Sequence, residues 1–389
     1  MRLRTAGFIG WLVLTPGWSW AGPAVATQGG AERALAREIP RLMSAWRVPG
    51  VAAALIDKGE VVWTRGFGWA DVDAHRPVTP DTLFQAASMS KPVAAWTAMT
   101  LVREGRLDAD APVGRMSSAW SLPASAFDAN GVTIRRILSH TAGLSVPGYL
   151  GFPPDRQPQD LDASLRSADD SGGAALAIIA PPGQGWRYSG GGYTLLQRVI
   201  ERSAGKCFAD AAAQRVLQPL GMRDSHFGDS RPGDQRATPY DRRDQSLPVR
   251  RFTAQAAAGL WTSAADFARF VAATAPGPHG AVPGRSVLPP ESLRAMLTPQ
   301  PHSDNDMLFP GSTFGLGYAL RELPPPHGML AYHLGDNPPG WHGLFAVFPR
   351  EGSGLVVLTN GEDGRDLRVG VLCAWLRSVG IRAAPSPCR

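Results

Sequence analysis

The sequence predicts an α+β fold: an antiparallel β-sheet flanked by helices, built from both ends of the chain, with a mostly helical segment inserted between them. Three observations carry this expectation. Short strand-like apolar runs occur before residue 67 and return only after residue 310. The stretch of about 107–300 is rich in helical spacing and turns. The first two strand-like runs are separated by only two residues, Lys58-Gly59, as in a hairpin.

The elements follow in order. Residues 31–46 have apolar side chains at helical spacing. The hairpin is Val51-Ala-Ala-Ala-Leu-Ile-Asp57 and Glu60-Val-Val-Trp-Thr-Arg-Gly66. Helical spacing resumes over 88–104, and Gly105 stops it. In the middle stretch 193–203, 209–217 and 264–273 read as helices. Strands follow at 314–320, 344–349 and 354–360, and a last helix at 367–379. The sheet part is thus about 27–106 and 301–389, the helical part about 107–300, within one unit of 27–389.

Residues 1–26 read as a signal peptide. Arg2 and Arg4 supply a basic start, and 6–20 is mainly apolar and uncharged. Cleavage is expected after Ala21 or Ala26. Pro16 and Gly17 break the apolar run, which falls short of the ~18 residues that span a bilayer. Export to a bacterial periplasm or the medium is expected, with no stable membrane anchor after processing.

Composition narrows the function. The chain of 389 residues is 44% hydrophobic and 19% charged, and its 44 Gly and 35 Pro are spread without a repeat. Removing 1–26 takes two arginines and no acid, so the formal charge falls from +6 to +4. That excess is too small and dispersed to indicate nucleic acid. Cys207, Cys373 and Cys388 show no CxxC spacing and the eight histidines are scattered, so neither a metal site nor a cofactor is indicated. In an oxidising compartment Cys373–Cys388 is the expected disulfide.

The chemistry centres on Gln85-Ala86-Ala87-Ser88-Met89-Ser90-Lys91-Pro92. The chain uses 36 Arg and only three Lys, yet places Lys91 three residues after a serine at a helix start. Arginine could supply charge there but cannot lose a proton near neutral pH; a desolvated lysine can. Residues three apart share a helix face, so Lys91 can reach Ser88 and accept its proton. Backbone N–H groups and the positive helix end behind Ser88 suit a developing oxyanion. Tyr188-Ser189-Gly190 follows Pro182-Gly183-Gln184-Gly185 at a loop–helix junction. Tyr188 is a candidate second proton carrier whose pKa a nearby lysine can lower. His333-Leu334-Gly335 follows the apolar stretch 329–332, and its glycine would let a substrate approach a strand edge.

Taken in order, these three pieces resemble the serine β-lactamase / penicillin-binding-protein superfamily. The branch is the class C-like one, which also holds D,D-carboxypeptidases, D-aminopeptidases and esterases. Ile137-Leu-Ser-His-Thr-Ala-Gly-Leu144, Ala257-Ala-Gly-Leu-Trp-Thr-Ser-Ala-Ala-Asp266 and Gly354-Leu-Val-Val-Leu-Thr-Asn-Gly361 resemble further segments of it, so the likeness runs from about 31 to 379. The resemblance implies Ser88 as acylated nucleophile, Lys91 and Tyr188 as proton-transfer groups, and the backbone N–H groups of Ser88 and Asp336 as oxyanion hole. It places His333, Leu334, Gly335 and Gly190 in substrate binding, the substrate being a small molecule or peptide. Two departures stand out. Gly190 occupies the usual Asn position, removing an amide that contacts an acylamino carbonyl. Leu334 stands where Thr or Ser binds a carboxylate, and His333 replaces a permanent cation, adding an expected titration near its ordinary ~6.5.

Other readings fit less well. An α/β-hydrolase needs Gly-x-Ser-x-Gly after a strand, and a zinc hydrolase needs HExxH; the sequence has neither. A non-catalytic ligand sensor would shed Ser88, Lys91 or Tyr188, and all three are present. The sequence therefore points to a secreted serine hydrolase acting through an acyl-enzyme on an ester, amide or peptide. A class C-like β-lactamase or D,D-carboxypeptidase is the alternative.

Overall fold

A computed structural model describes residues 28–116, 122–325, 327–381 and 386–388; the expected signal peptide, 1–26, lies outside them. Helix α1 (Gln28–Trp46) leads into the hairpin β1 (Gly50–Asp57) and β2 (Glu60–Asp71), followed by the two-residue strand β3 (Arg76–Pro77). Helices α2 (Ser90–Arg103), α3 (Gly190–Ala204) and α4 (Ala264–Ala272) come from the first and middle parts of the chain. The C-terminal part adds β4 (Thr313–Phe314), β5 (Ala319–Leu323), β6 (Gly328–Asn337), β7 (Trp341–Phe348), β8 (Ser353–Thr359) and α5 (Gly364–Ser378). Among the described residues the main sheet has eight strands, ordered β3-β2-β1-β8-β7-β6-β5-β4. All its pairings are antiparallel. The two chain ends meet where Val51 of β1 lies opposite Thr359 of β8. This is the α+β sheet the sequence predicts.

Strand β1 is almost continuously apolar because both sheet faces are covered. Successive strand residues point to opposite faces. Val51, Ala53 and Leu55 pack with Leu35 and Ile39 of α1 and with Leu367 and Trp375 of α5. Ala52, Ala54 and Ile56 join Val93 and Trp96 of α2 and Phe267 and Val271 of α4. Thus α4, although it lies within 107–300, helps to cover the sheet. It starts at Ser263, whose Oγ accepts the Asp266 N–H at 3.1 Å, a cap that satisfies one of the helix's unpaired donors.

Among the elements that differ from the expectation are the following four. The 314–320 run splits into β4 and β5, because Leu316 N–H bonds Met296 C=O and Gly317 N–H bonds Leu138 C=O instead of a strand. The 209–217 helix divides into an α-turn, Phe208–Ala212, and a π-turn, Ala213–Leu217. Helix α3 starts at Gly190 rather than 193, since Ser189 Oγ accepts the Gly192 N–H at 2.9 Å. His333, Leu334 and Gly335 lie inside β6, not after it, because Leu334 and Gly335 pair with Leu344 and Gly343 of β7.

A small sheet of Phe84–Gln85, Leu260–Thr262 and His226–Phe227 braces the chain just before α2. Cys373 of α5 is bridged to Cys388 with Cα atoms 5.2 Å apart, the pair expected from sequence. Cys207 is free.

Phe345 of β7 is fully buried, its ring 5.5 Å from Phe267 of α4 and 6.0 Å from Tyr318. Phe345→Ala should therefore destabilise the fold by about 3–5 kcal/mol. Urea denaturation followed by circular dichroism checks this; an unchanged midpoint would mean that the sheet–helix layer does not carry the stability.

Candidate active site

Ser88 sits on a sharp turn leading into α2. Ala87 before it has φ +51°, a left-handed conformation that costs a residue with a Cβ roughly 1–2 kcal/mol. Ser90 holds the turn: its Oγ donates to Ala87 C=O at 2.6 Å and accepts the Leu260 N–H at 3.0 Å. Ala86 N–H also bonds Leu260 C=O at 2.8 Å. A single 3₁₀ turn, Ala87–Met89, precedes α2, so Ser88 lies just ahead of the helix rather than within it. Its side chain is half-buried and lines a cleft of about 630 Å³.

Lys91 is 2% exposed in the first turn of α2. Its Nζ lies 2.9 Å from Ser88 Oγ and donates to Ala257 C=O at 2.8 Å. The Tyr188 and Tyr193 rings flank it at 5.0 and 5.6 Å. Burial without a carboxylate partner pushes its pKa from the usual 10.5 down to about 7. At and above that pH the amine has a lone pair to accept the serine proton.

Tyr188 lines the same cleft, and the Ser88 side chain acts on its phenol. The sequence suggests that lysine would lower its pKa, and that expectation is corrected here. Burial dominates and raises it above the usual 10, with the Ser88 hydrogen bond acting the other way. Tyr188 is therefore a neutral phenol, able to pass a proton but not stored as a tyrosinate.

Strand β6 approaches Ser88 from the far end of the chain. Pairing with β5 ends at Tyr332, so residues 333–337 have a strand neighbour only on the β7 side. A Cβ at Gly335 would lie 2.2 Å from Ala86 C=O; only glycine lets the strand come this close to the turn that carries Ser88. Asn337 ties the end of β6 back, donating to Gln85 Oε1 at 3.0 Å and to Ala258 C=O at 3.2 Å.

His333 is 1% exposed, its Nδ1 2.7 Å from Leu334 C=O and its Nε2 without a partner. A carbonyl can only accept, so Nδ1 carries the proton and Nε2 offers a bare lone pair. Burial, aided by the Lys91 charge, pushes its pKa down to about 3. The expected titration near 6.5 is thus also corrected. Leu334 faces the other side of the strand and, with Trp186, Met307 and Leu308, forms an apolar cleft wall. At Gly190 a Cβ would lie 3.2 Å from Pro147 C=O and 3.3 Å from the Tyr149 ring, leaving little room for a side chain.

Also on the cleft lining, Asp336 is paired to buried Arg368 at 2.9 Å and to His342 at 2.6 Å. Although burial acts the other way, the His342 hydrogen bond and the Arg368 charge hold its carboxyl well below the ordinary value. Arg368 also donates to Gly335 C=O at 2.5 Å and Gly343 C=O at 2.7 Å, clamping β6 to β7. The structure thus brings Ser88, Lys91, Tyr188, His333, Leu334, Gly190 and Asp336 to one cleft, with Gly335 behind it. Sequence reasoning missed Arg368, His342 and Asn337. One arginine among 36 carries no signal of its own. Among the described residues no group of three or more His, Cys, Asp or Glu converges to hold a metal ion.

Comparison with known proteins places this arrangement. Residues 35–371 match the sequence model of the family described as Beta-lactamase. The chain is 37% identical over 215 residues to the esterase EstB of Burkholderia gladioli, covering 52% of this chain and 53% of that protein. It is 32% identical over 183 residues to penicillin-binding protein 4* of Bacillus subtilis (strain 168), covering 47% and 39%. The match therefore spans about half or less of these relatives' length. Among solved structures, an octameric penicillin-binding protein homologue from Pyrococcus abyssi superposes with a TM-score of 0.73 at 25% identity, covering 89% of this chain and 77% of that one. With the family match running from α1 into α5, the chain belongs to the beta-lactamase family.

Proposed function

We propose that the protein is a secreted serine hydrolase that forms an acyl-enzyme at Ser88 and prefers esters over β-lactams or D-alanyl peptides. The observation that carries this reading is Lys91, buried without a counter-charge, 2.9 Å from Ser88 Oγ. As a neutral amine it takes the serine proton while Oγ attacks the substrate carbonyl carbon. The developing oxyanion is bound by the backbone N–H groups of Ser88 and Asp336. When the C–O bond breaks, the leaving alkoxide takes a proton through Tyr188, which Lys91 replenishes. Water then attacks the acyl-enzyme by the same route in reverse, releasing the acid.

Substrate preference follows from what positions 190, 333 and 334 lack. No side-chain amide projects from Gly190, and Leu334 offers no hydroxyl to a carboxylate. His333 is a neutral acceptor where a cation would attract an anion. A site reading polar groups discriminates strongly, and one lacking them does so weakly. The likeness to an esterase supports the ester reading. The Cys373–Cys388 bridge suits an oxidising compartment, and so supports export through residues 1–26.

Intact-mass measurement after treatment with a fluorophosphonate should show a single adduct that disappears in Ser88→Ala. Labelling of that variant would remove the assignment. Lys91→Arg should lose about 100-fold or more in kcat, nearly as much as Lys91→Ala, because arginine cannot accept the proton. A folded Lys91→Arg enzyme with near-normal turnover would show that charge alone suffices.

The pH profile has a defined sign. Below about pH 7 Lys91 holds its proton and cannot activate Ser88, so kcat/KM for p-nitrophenyl butyrate should fall on the acid side with a midpoint near 7. A midpoint near 6.5 that disappears in His333→Gln would instead assign the limb to His333. Finally, kcat/KM for p-nitrophenyl acetate or butyrate should exceed that for nitrocefin and for D-amino-acid amides. The reverse order for nitrocefin would make a class C-like β-lactamase the better reading.

A further inference from the structure

The segment 137–144 resembles a family motif, yet none of the chemistry above uses it. At its centre His140 is 2% exposed and has φ +58°. It follows the short helix Ile134–Leu138 and meets the Tyr188 loop at three successive residues. Its C=O accepts the Arg187 N–H at 2.7 Å. Its Nδ1 accepts the Ser189 N–H at 3.1 Å. Between those two bonds its ring stacks on Tyr188, with centroids 4.3 Å apart and planes tilted by 34°. Phe314 at 4.9 Å and Tyr193 at 5.3 Å enclose the imidazole.

This arrangement carries two costs that packing alone would not keep. A residue with a Cβ is held left-handed, which costs roughly 1–3 kcal/mol. Since Nδ1 accepts, the ring proton sits on Nε2, which is buried without a hydrogen-bond partner, at roughly 1–3 kcal/mol more. Phenylalanine would fill the same space without stranding a donor. What histidine adds is the acceptor for the Ser189 N–H, beside the residue whose phenol reaches Ser88. The loop it grips carries Gly183 and Gly185 and has little stiffness of its own.

We propose that His140 is a positioning residue for Tyr188, holding the peptides on both sides of it and its ring face so that the phenol stays on Ser88. The inference rests on the reading of Tyr188 as a proton carrier. Neither Lys91 nor Ser88 hydrogen-bonds His140, whereas the backbone N–H groups on both sides of Tyr188 do, so its hydrogen bonds act on turnover through Tyr188.

The test is a set of double-mutant cycles on the full chain, with p-nitrophenyl butyrate as substrate and melting temperature measured for each variant. His140→Phe keeps the ring and loses the acceptor; His140→Gly frees the backbone and loses both. His140→Asn restores an acceptor near the Nδ1 position and tolerates a left-handed φ. His140→Phe and His140→Gly should lower kcat by about 100-fold, the cost of a misplacement near 1 Å, while KM changes by less than about threefold. His140→Asn should recover about tenfold or more of that loss. In a Tyr188→Phe background each His140 substitution should add little, since residues acting through one another are not additive. His140→Phe and His140→Gly both keeping wild-type kcat, His140→Asn doing no better than they do, or fully additive losses with Tyr188→Phe would each overturn the positioning role. A fully active Tyr188→Phe would instead remove the proton-carrier reading beneath it. His140→Gly keeps the test decisive if His140→Phe does not fold.

Discussion

One ammonium buried without a counter-charge is the constraint on which the site depends. Moving Lys91 from 10.5 to about 7 corresponds, at ~1.4 kcal/mol per unit, to roughly 5 kcal/mol against the charged form. The unfolded chain keeps that proton up to about pH 10.5, whereas the folded chain releases it near 7. This group's contribution to stability therefore rises with pH between those values and is least favourable below 7. Only a well-packed scaffold can sustain such a group, and α2 is buried along most of its length against both the sheet and α3.

Charge around Lys91 is arranged to leave it alone. The two histidines closest to the chemistry are both buried and neutral, and both are pushed down first by burial and then by the Lys91 charge. Each uses one ring nitrogen for backbone: His333 donates to its own strand and His140 accepts from the Tyr188 loop. Two permanent charges of the cleft lining, Asp336 and Arg368, pair with each other at 2.9 Å. A carboxylate beside Lys91 would have restored its proton at neutral pH.

The antiparallel sheet makes this placement possible. Because β1 and β8 lie side by side, the strand that carries His333 to Asp336 comes from some 245 residues beyond Ser88 yet reaches its turn. Gly335 permits the close approach, and Asn337 and Arg368 fix the strand on either side of it. The apolar wall of Trp186, Met307, Leu308 and Leu334 draws on three separate segments, joined only at the cleft.

Much of this protein is decided by local chemistry and is legible in the chain. Strand and helix periods, the Lys58-Gly59 hairpin, the arginine-rich background that sets Lys91 apart, and the Ser88-to-Lys91 spacing are short-range features, and they suffice for the sheet, its helices and the contact between Ser88 and Lys91. Three cysteines leave three possible pairings, and the fold, which brings the Cα atoms of Cys373 and Cys388 to 5.2 Å, selects one of them. Protonation states are likewise not legible in the chain. The sequence shows a tyrosine near a lysine and a histidine in place of a cation; whether they ionise is set by burial and by the atoms each ring touches, which arise from segments far apart in the chain. For the same reason Arg368, His342 and the grip of His140 on residues 187 and 189 have no sequence signature. Where an element was misplaced, as in the split of 314–320, backbone groups found partners across the fold instead of along a strand. Desolvation and long-range hydrogen bonding are properties of the packed chain, and only tertiary structure decides them.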